Sequence, residues 1–399
     1  MDTSKHSSVY ADYEWAIKLN RTCLKMLGLW PKNNETKWEK LMTNGRVIVL
    51  LNIGIWFCII PTVHSLLKIW GDIMSMIDNL NYTLPLTMAM IKFFIMWHKK
   101  KDILPLLNMI KYDWLKPKTV QERNVMINRA RLACNFTIFG YFIMLLALVL
   151  PSTLPIFGSS LRYLTNKTDP GRLMPIQTYY IYDQDKSPLY EITYALQTIS
   201  MSLFAAVYTG TDCFLSLLVF HVCGQLENLK ARVINLDKFN NFDSVLSRNI
   251  QDHIRLIRSI NTIDDIFTLM LLGALFYFGL LFAIYGFLFG TAMTQHGDIS
   301  TLRLTFIMTS FVNIFAHTCL YCIVGEILVT RCEGVYEAVC ELKWYTLGSK
   351  KAKNLLMIMI CAKPLYLTAG KVFPMTMATF CNLLKTSGGY ISVLLAHRD

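Results

Sequence analysis

Seven apolar stretches, each near the length that crosses a bilayer, recur along this 399-residue chain and are parted by segments in which its charge collects. They occupy roughly 47–67, 80–97, 132–157, 192–222, 266–293, 304–329 and 369–395. About 20 apolar residues in helical conformation cover a hydrocarbon core. Each stretch is rich in Leu, Ile, Phe and Met, with polar residues only at isolated positions. The expected fold is therefore all-α, a seven-transmembrane helical bundle. With 54% hydrophobic and 17% charged residues, a soluble domain of this size would carry far more apolar surface than it can hide. The fourth stretch is long enough to run on past the membrane.

Orientation follows from Lys and Arg. Segments 1–46, 98–131, 222–264 and 328–365 hold 8, 9, 6 and 6 of them, which is 29 of the chain's 39. In a seven-span chain these four segments share one side, and the positive-inside bias makes that side the cytoplasm. The amino terminus is expected in the cytoplasm and the carboxyl terminus outside, opposite to a G-protein-coupled receptor. No basic leader with a short apolar core and a small-residue cleavage site precedes the first stretch. The sequon at Asn166 falls in the longest outer loop, where glycosylation takes place, whereas those at Asn20 and Asn34 fall inside, where it does not. Loop 156–189, with its Pro, Gly, Asp and four tyrosines, suits a lid over a cavity as well as an ordinary connector.

The formal charge of +12 is interrupted by membrane spans, so it offers nucleic acid no continuous basic face and instead fits loops beside anionic lipid. None of the 11 cysteines lies in a predicted outer loop, which argues against an extracellular disulfide framework. Cys319 and Cys322 have half the spacing of a zinc site but sit inside an apolar stretch without a second pair. Phosphate-cradling glycine loops, nucleophile elbows and metalloprotease helices are absent from the sequence. The chain reads as neither an enzyme nor a carrier of a cofactor or metal. Asp264 and Asp265, beside the cytoplasmic end of the fifth span, suit capping or anchoring. Segment 331–363 mixes Glu333, Glu337, Glu341 and Lys343 with apolar residues at helical spacing, as a cytoplasmic helix packed on its neighbours would.

The carboxyl-terminal third is the most specific part. The strings YCIVGEILV from Tyr321 and KWYTLGSKKAKNLLMIMICAKPLYLTAGKVFPMTMATFCNLLKTSGGYISVLL from Lys343 resemble the signature of the insect odorant receptor family over about seventy residues. Its elements are a Gly-Glu in span six, a Trp-Tyr, a Lys-Lys, a Pro-Leu, the LTAGK run 367–371 and the LKTS run 384–387. Weaker matches, IKFFIMWHKKKDILPLLNMI and HVCGQLENLKARVINL, extend it upstream. Gustatory receptors close with Thr-Tyr, five apolar residues and Gln-Phe, and this chain closes differently, from Tyr390 to His397.

The resemblance implies an odorant-specific tuning subunit of a four-subunit, non-selective cation channel in the plasma membrane of olfactory sensory neurons, completed by a shared co-receptor subunit. It implies a pocket for a small volatile or lipid-like odorant in the outer half of the bundle, a last helix lining the pore, and an anchor domain where subunits meet. The chain then divides into a cytoplasmic segment 1–46, helices one to six over 47–330, an anchor helix 331–365 and a pore-lining helix 366–399. The alternative is a metabotropic or gustatory-type chemoreceptor, and the metabotropic form needs the reverse topology.

Thr379, Asn382, Thr386, Tyr390, Val393 and His397 recur at spacings of three and four on the last helix. Such a stripe is expected along a water path, and the same residue types also bond across helix interfaces in membranes. Val393, an apolar ring when repeated about an axis, is the expected gate. It matches the family's gate position, and His397 matches a second constriction position that is apolar in the co-receptor. Lys371 and Lys385 are expected to pair structurally. Leu84, Met88, Phe142, Leu146, Tyr194, Met201, Thr305 and Met308, on the outer halves of spans two, three, four and six, are the expected ligand wall, adaptable through methionine and aromatic side chains. Ordinary helix packing uses the same residue types.

Overall fold

The computed structural model describes residues 2–159, 171–236, 241–294, 301–342, 348–361 and 364–396. In chain order it contains α1 (Asp2–Met26), α2 (Lys37–Gly54), a π-helical turn (Ile55–Ile59), α3 (Ile60–Lys68), α4 (Ile73–His98), α5 (Lys100–Leu115), α6 (Val120–Thr153) and α7 (Leu189–Ile234). There follow α8 (Phe242–Thr294), α9 (Thr301–Glu341), α10 (Ser349–Cys361), a short antiparallel hairpin of β1 (Thr368–Ala369) and β2 (Phe373–Pro374), and α11 (Met377–Ala396).

Five described segments are long and apolar enough to cross a membrane: Lys37–Lys68, Val120–Phe157, Leu189–Ile234, Phe242–Gly290 and Ile307–Glu341. Helices α4 and α11 complete the seven, α4 diluting its apolar run with Asn81, Pro85 and Lys92. Helix starts are written locally. Thr36 accepts the Glu39 N–H at 3.2 Å while the Glu39 carboxylate accepts the Thr36 N–H at 3.0 Å. Thr119 and Glu122 repeat this reciprocal box at the start of α6, each closing two otherwise unmet backbone donors.

Helix α7 is the axis of the bundle. Every residue from Thr209 to Leu226 is buried, so this stretch is wrapped on all sides, as a helix in a core must be. One end of the bundle gathers α1, α5 and the adjoining parts of α7 and α8 into a wide layer with buried charges. There Asp113 pairs with Arg255 at 2.7 Å and with His221 at 3.1 Å, and Asp252 meets Arg232 at 3.1 Å and Lys116 at 3.3 Å. The opposite end carries the loop before α7.

Two stretches differ from expectation. Helix α9 runs unbroken to Glu341 and α10 begins only at Ser349, so segment 331–363 is shared between two helices. The last helix begins at Met377 rather than near residue 369. Gly370 and Lys371 take φ of 63° and 61°, left-handed values that turn the chain back on itself, and Pro374 lacks an N–H to carry a helix.

Candidate functional site

A cavity of about 200 Å³ lies between α4, α6, α7, α8 and α9, in the half of the bundle nearest the 171–188 loop. Its residues recur at helical spacing, one face from each element: Asn81, Tyr82, Pro85, Leu86 and Ala89 from α4, then Ile143, Met144, Ala147, Leu148 and Pro151 from α6. Met201, Phe204, Ala205, Tyr208 and Thr209 come from α7, Tyr277, Phe278, Leu281 and Tyr285 from α8, and Ser310, Asn313, Ile314 and His317 from α9. A Cβ on Gly54 would overlap the Phe204 ring, so the bare glycine at the start of the π-helical turn lets that wall stand where it does.

The 171–188 loop packs against this wall. Met174, Ile176, Gln177 and Thr178 are buried, which a surface connector would not require. Gln197 of α7 accepts the Ile176 N–H at 3.3 Å and donates to Thr178 Oγ1 at 3.1 Å and Tyr180 Oη at 3.2 Å. Tyr180 in turn donates to the Phe57 carbonyl at 2.8 Å, and Asn79 donates to the Gln177 carbonyl at 3.3 Å. Ile176 packs in one cluster with Leu86, Ala89, Met201 and Phe204, all cavity residues. The loop is held by these bonds as a cap behind the wall, none of its described residues lining the cavity itself.

One helical turn beyond the other end of the cavity sits a buried ion pair. Lys92 Nζ lies 2.6 Å from Asp212 Oδ1 and 2.9 Å from the Tyr321 hydroxyl, and 3.5 Å from the centre of the Tyr208 ring. Removing two charges from water is costly, and three partners around one ammonium offset that cost.

Of the expected ligand-wall residues, Met201 lines the cavity. Phe142 and Leu146 neighbour the lining Ile143 and Ala147 in sequence but turn outward, 57% and 50% exposed, and Met308 and Thr305 are exposed as well. Met88 is buried and Leu84 half-buried in the main core, while Tyr194 donates to the Ser152 carbonyl at 2.9 Å. One residue along a helix turns the side chain by about 100°. Depth was legible, the facing was not.

Helix α11 presents two unlike faces. Phe380 and Ser387 are buried, Ser387 donating to the Gly279 carbonyl at 3.3 Å, whereas Asn382 and Thr386 are exposed. The side chains of Tyr390 and Val393, and all of His397 and Asn166, lie outside the described residues. The foot of α11 is tied twice. Asp264 on α8 accepts the Thr368 N–H at 2.6 Å and pairs with Lys371 at 2.6 Å, and Asp265 meets the same ammonium at 2.5 Å. A Cβ on Gly325 of α9 would overlap the Met375 carbonyl. Two of the motifs that carry the resemblance, Gly-Glu and LTAGK, thus both reach the segment from which the last helix begins.

Residues 72–388 match the family model described as 7tm Odorant receptor. The chain belongs to this family. Among relatives of this odorant receptor, Odorant receptor 10 of Aedes albopictus is 28% identical over an alignment covering 53% of this chain and 57% of that one. Odorant receptor 13a of Drosophila melanogaster is 21% identical, with 93% of each chain covered. The fold is also that of the insect olfactory receptor OR5 from Machilis hrabei, solved in complex with eugenol, with a TM-score of 0.82 at 14% identity, covering 97% of this chain and 99% of that one. Lys92 and Asp212 of the receptor went unread in the sequence, although an ionisable residue inside an apolar run is itself the signal.

Proposed function

We propose that this odorant receptor is the odorant-binding subunit of a ligand-gated, non-selective cation channel, acting in the plasma membrane of olfactory sensory neurons with a co-receptor subunit. The observation that carries the channel reading is the two-faced α11: its apolar side is buried against α8 and α9, and Asn382 and Thr386 stand exposed on the other. A polar helix face in a membrane protein needs a water path or a partner. In the proposed assembly Asn382, Thr386 and Tyr390 line a central pore, Val393 forms its gate and His397 a second constriction.

The odorant occupies the capped cavity and touches Met201, and binding favours the open arrangement of the bundle. A solved neighbour in complex with eugenol supports a small-molecule ligand. Segment 1–46 lies in the cytoplasm and residues 331–365 join an anchor between subunits, a reading supported by the 29 of 39 basic residues in the four same-side segments.

Recording currents from cells that co-express this chain with a co-receptor, against a panel of volatiles, tests the proposal. Odorant-evoked cation current is expected, and Val393→Ala is expected to change conductance or resting current. Currents untouched by Val393 variants would remove the gate assignment. An amino terminus labelled from outside the cell would remove the channel topology altogether.

A further inference from the structure

Polar groups line both ends of the cavity, with Asn81, Tyr82, Ser310 and Asn313 at the end nearer the 171–188 loop. Tyr208 on α7, Tyr277 on α8 and His317 on α9 converge at the end facing the Lys92–Asp212 pair, with the Tyr208 ring 6.5 Å from Tyr277 and 5.8 Å from His317. Among the described residues, the two phenol hydroxyls and the imidazole nitrogens have no hydrogen-bond partner, whereas Tyr285 at the capped end is bonded to Ser310 and the Tyr321 hydroxyl is taken by Lys92. Three groups able to donate, drawn from three helices, therefore face a space walled mostly by hydrocarbon. Bare donors in such surroundings are unfavourable until something accepts from them.

We propose that this floor binds the single oxygen of a neutral carbonyl- or hydroxyl-bearing odorant, whose hydrocarbon part lies along Leu86, Leu148 and Phe204 toward the cap. The proposal rests on the reading of the cavity as the odorant site and adds the chemistry of what enters it. Two phenols and an imidazole match an oxygen acceptor, and the imidazole also takes a hydroxyl proton. Charge works against the other polar classes. A cationic amine finds Asp212 already paired with Lys92 at 2.6 Å and gains no counter-charge to offset its own desolvation. Because Asp212 already neutralises Lys92 at 2.6 Å, a carboxylate gains no net attraction to offset its desolvation. An alkane leaves all three polar groups unmet, and a site built to hydrogen-bond discriminates most strongly against the analogue that cannot.

The test uses the full chain co-expressed with a co-receptor and a matched series of one medium chain length: n-alkane, 1-alkanol, 2-alkanone, primary amine and carboxylate. Alkanol and ketone are expected to evoke current at least tenfold below the concentration that the other three need. Tyr277→Phe and His317→Phe are expected to raise the half-maximal concentration for the oxygenated probes by roughly three- to tenfold, the worth of one hydrogen bond, and to leave any alkane response where it was. Surface labelling checks that each variant reaches the membrane in wild-type amounts. Equal potency of alkane and alkanol on the wild type, or a common shift of both in the variants, overturns the inference and leaves the odorant-binding reading intact. Silence toward the whole series overturns it too, and the wider reading is then judged separately by the volatile panel and the Val393 variants.

Discussion

The carboxylate of Glu326 on α9 accepts the backbone N–H of Met377, the first residue of α11, at 3.2 Å. A negative group from one helix thus caps the start of another, where unmet N–H groups and the helix dipole both favour it. Glu326→Ala is expected to lower stability by about 1–2 kcal/mol. Gly325→Ala is expected to do more, because its Cβ would overlap the Met375 carbonyl, which is backbone and has nowhere to retreat. Thermal unfolding of the detergent-purified chain measures both, and a Gly325→Ala protein as stable as wild type would refute the close approach.

Lys92 and Asp212 form the second test. Removing either alone leaves a buried charge without its counterpart, at about 3–5 kcal/mol, whereas replacing both by apolar groups of similar size is often neutral. Lys92→Met and Asp212→Leu should each abolish surface expression or strongly lower the unfolding midpoint, and the double variant should recover much of the loss. A double variant no better than the worse single would show that the pair acts through something other than mutual neutralisation.

Gly54 controls the cavity from outside it. An added methyl would drive the buried Phe204 ring away from α2, and the space open to it is the cavity that it already lines. Gly54→Ala is therefore expected to exclude the bulkier members of any active odorant series while sparing the smaller ones, read as a change in the rank order of potencies. An unchanged rank order would mean that the ring has another way to move.

Acid sensitivity has two sources at the α5 end. Burial holds His253 below the ordinary histidine range, so as pH falls below about 6.5 the unfolded chain takes up a proton that the folded chain refuses, and stability declines until the folded value is passed. Burial raises the Asp113 carboxyl, but the bonds and charges of His221 and Arg255 more than reverse this and leave it lowered. Its contribution stays whole above about pH 4 and is lost only as pH falls through that depressed value. His253→Gln should flatten the melting-temperature profile between neutrality and mild acid without moving the steeper fall below. Parallel profiles for variant and wild type would exclude His253 as the cause.

Span number and helical class were readable because a bilayer imposes length and apolarity one helix at a time, and the boxes at Thr36 and Thr119 are local signals of the same kind. The start of the last helix was not, since the turn at Gly370 and Lys371 depends on Asp264, about a hundred residues away in sequence. The cavity was half readable. Phe142 and Leu146 are as apolar as Ile143 and Ala147, and only the packing of α6 against α7 decides which pair turns inward. Lys371 met its acidic partners as expected, Lys385 stands exposed without an ion pair among the described residues, and Lys92 and Asp212 lay unnoticed among apolar neighbours.

Helix α8 has a property that belongs to neither of its ends. Tyr277 borders the cavity and Asp264 grips the hairpin that precedes α11, about 20 Å apart along one uninterrupted axis at 1.5 Å per residue. Between them no proline interrupts the rod and no loop absorbs displacement. In the proposed channel, a tilt begun where an odorant presses on Tyr277 would reach the root of the last helix through one continuous element, a single lever between what is bound and what would move.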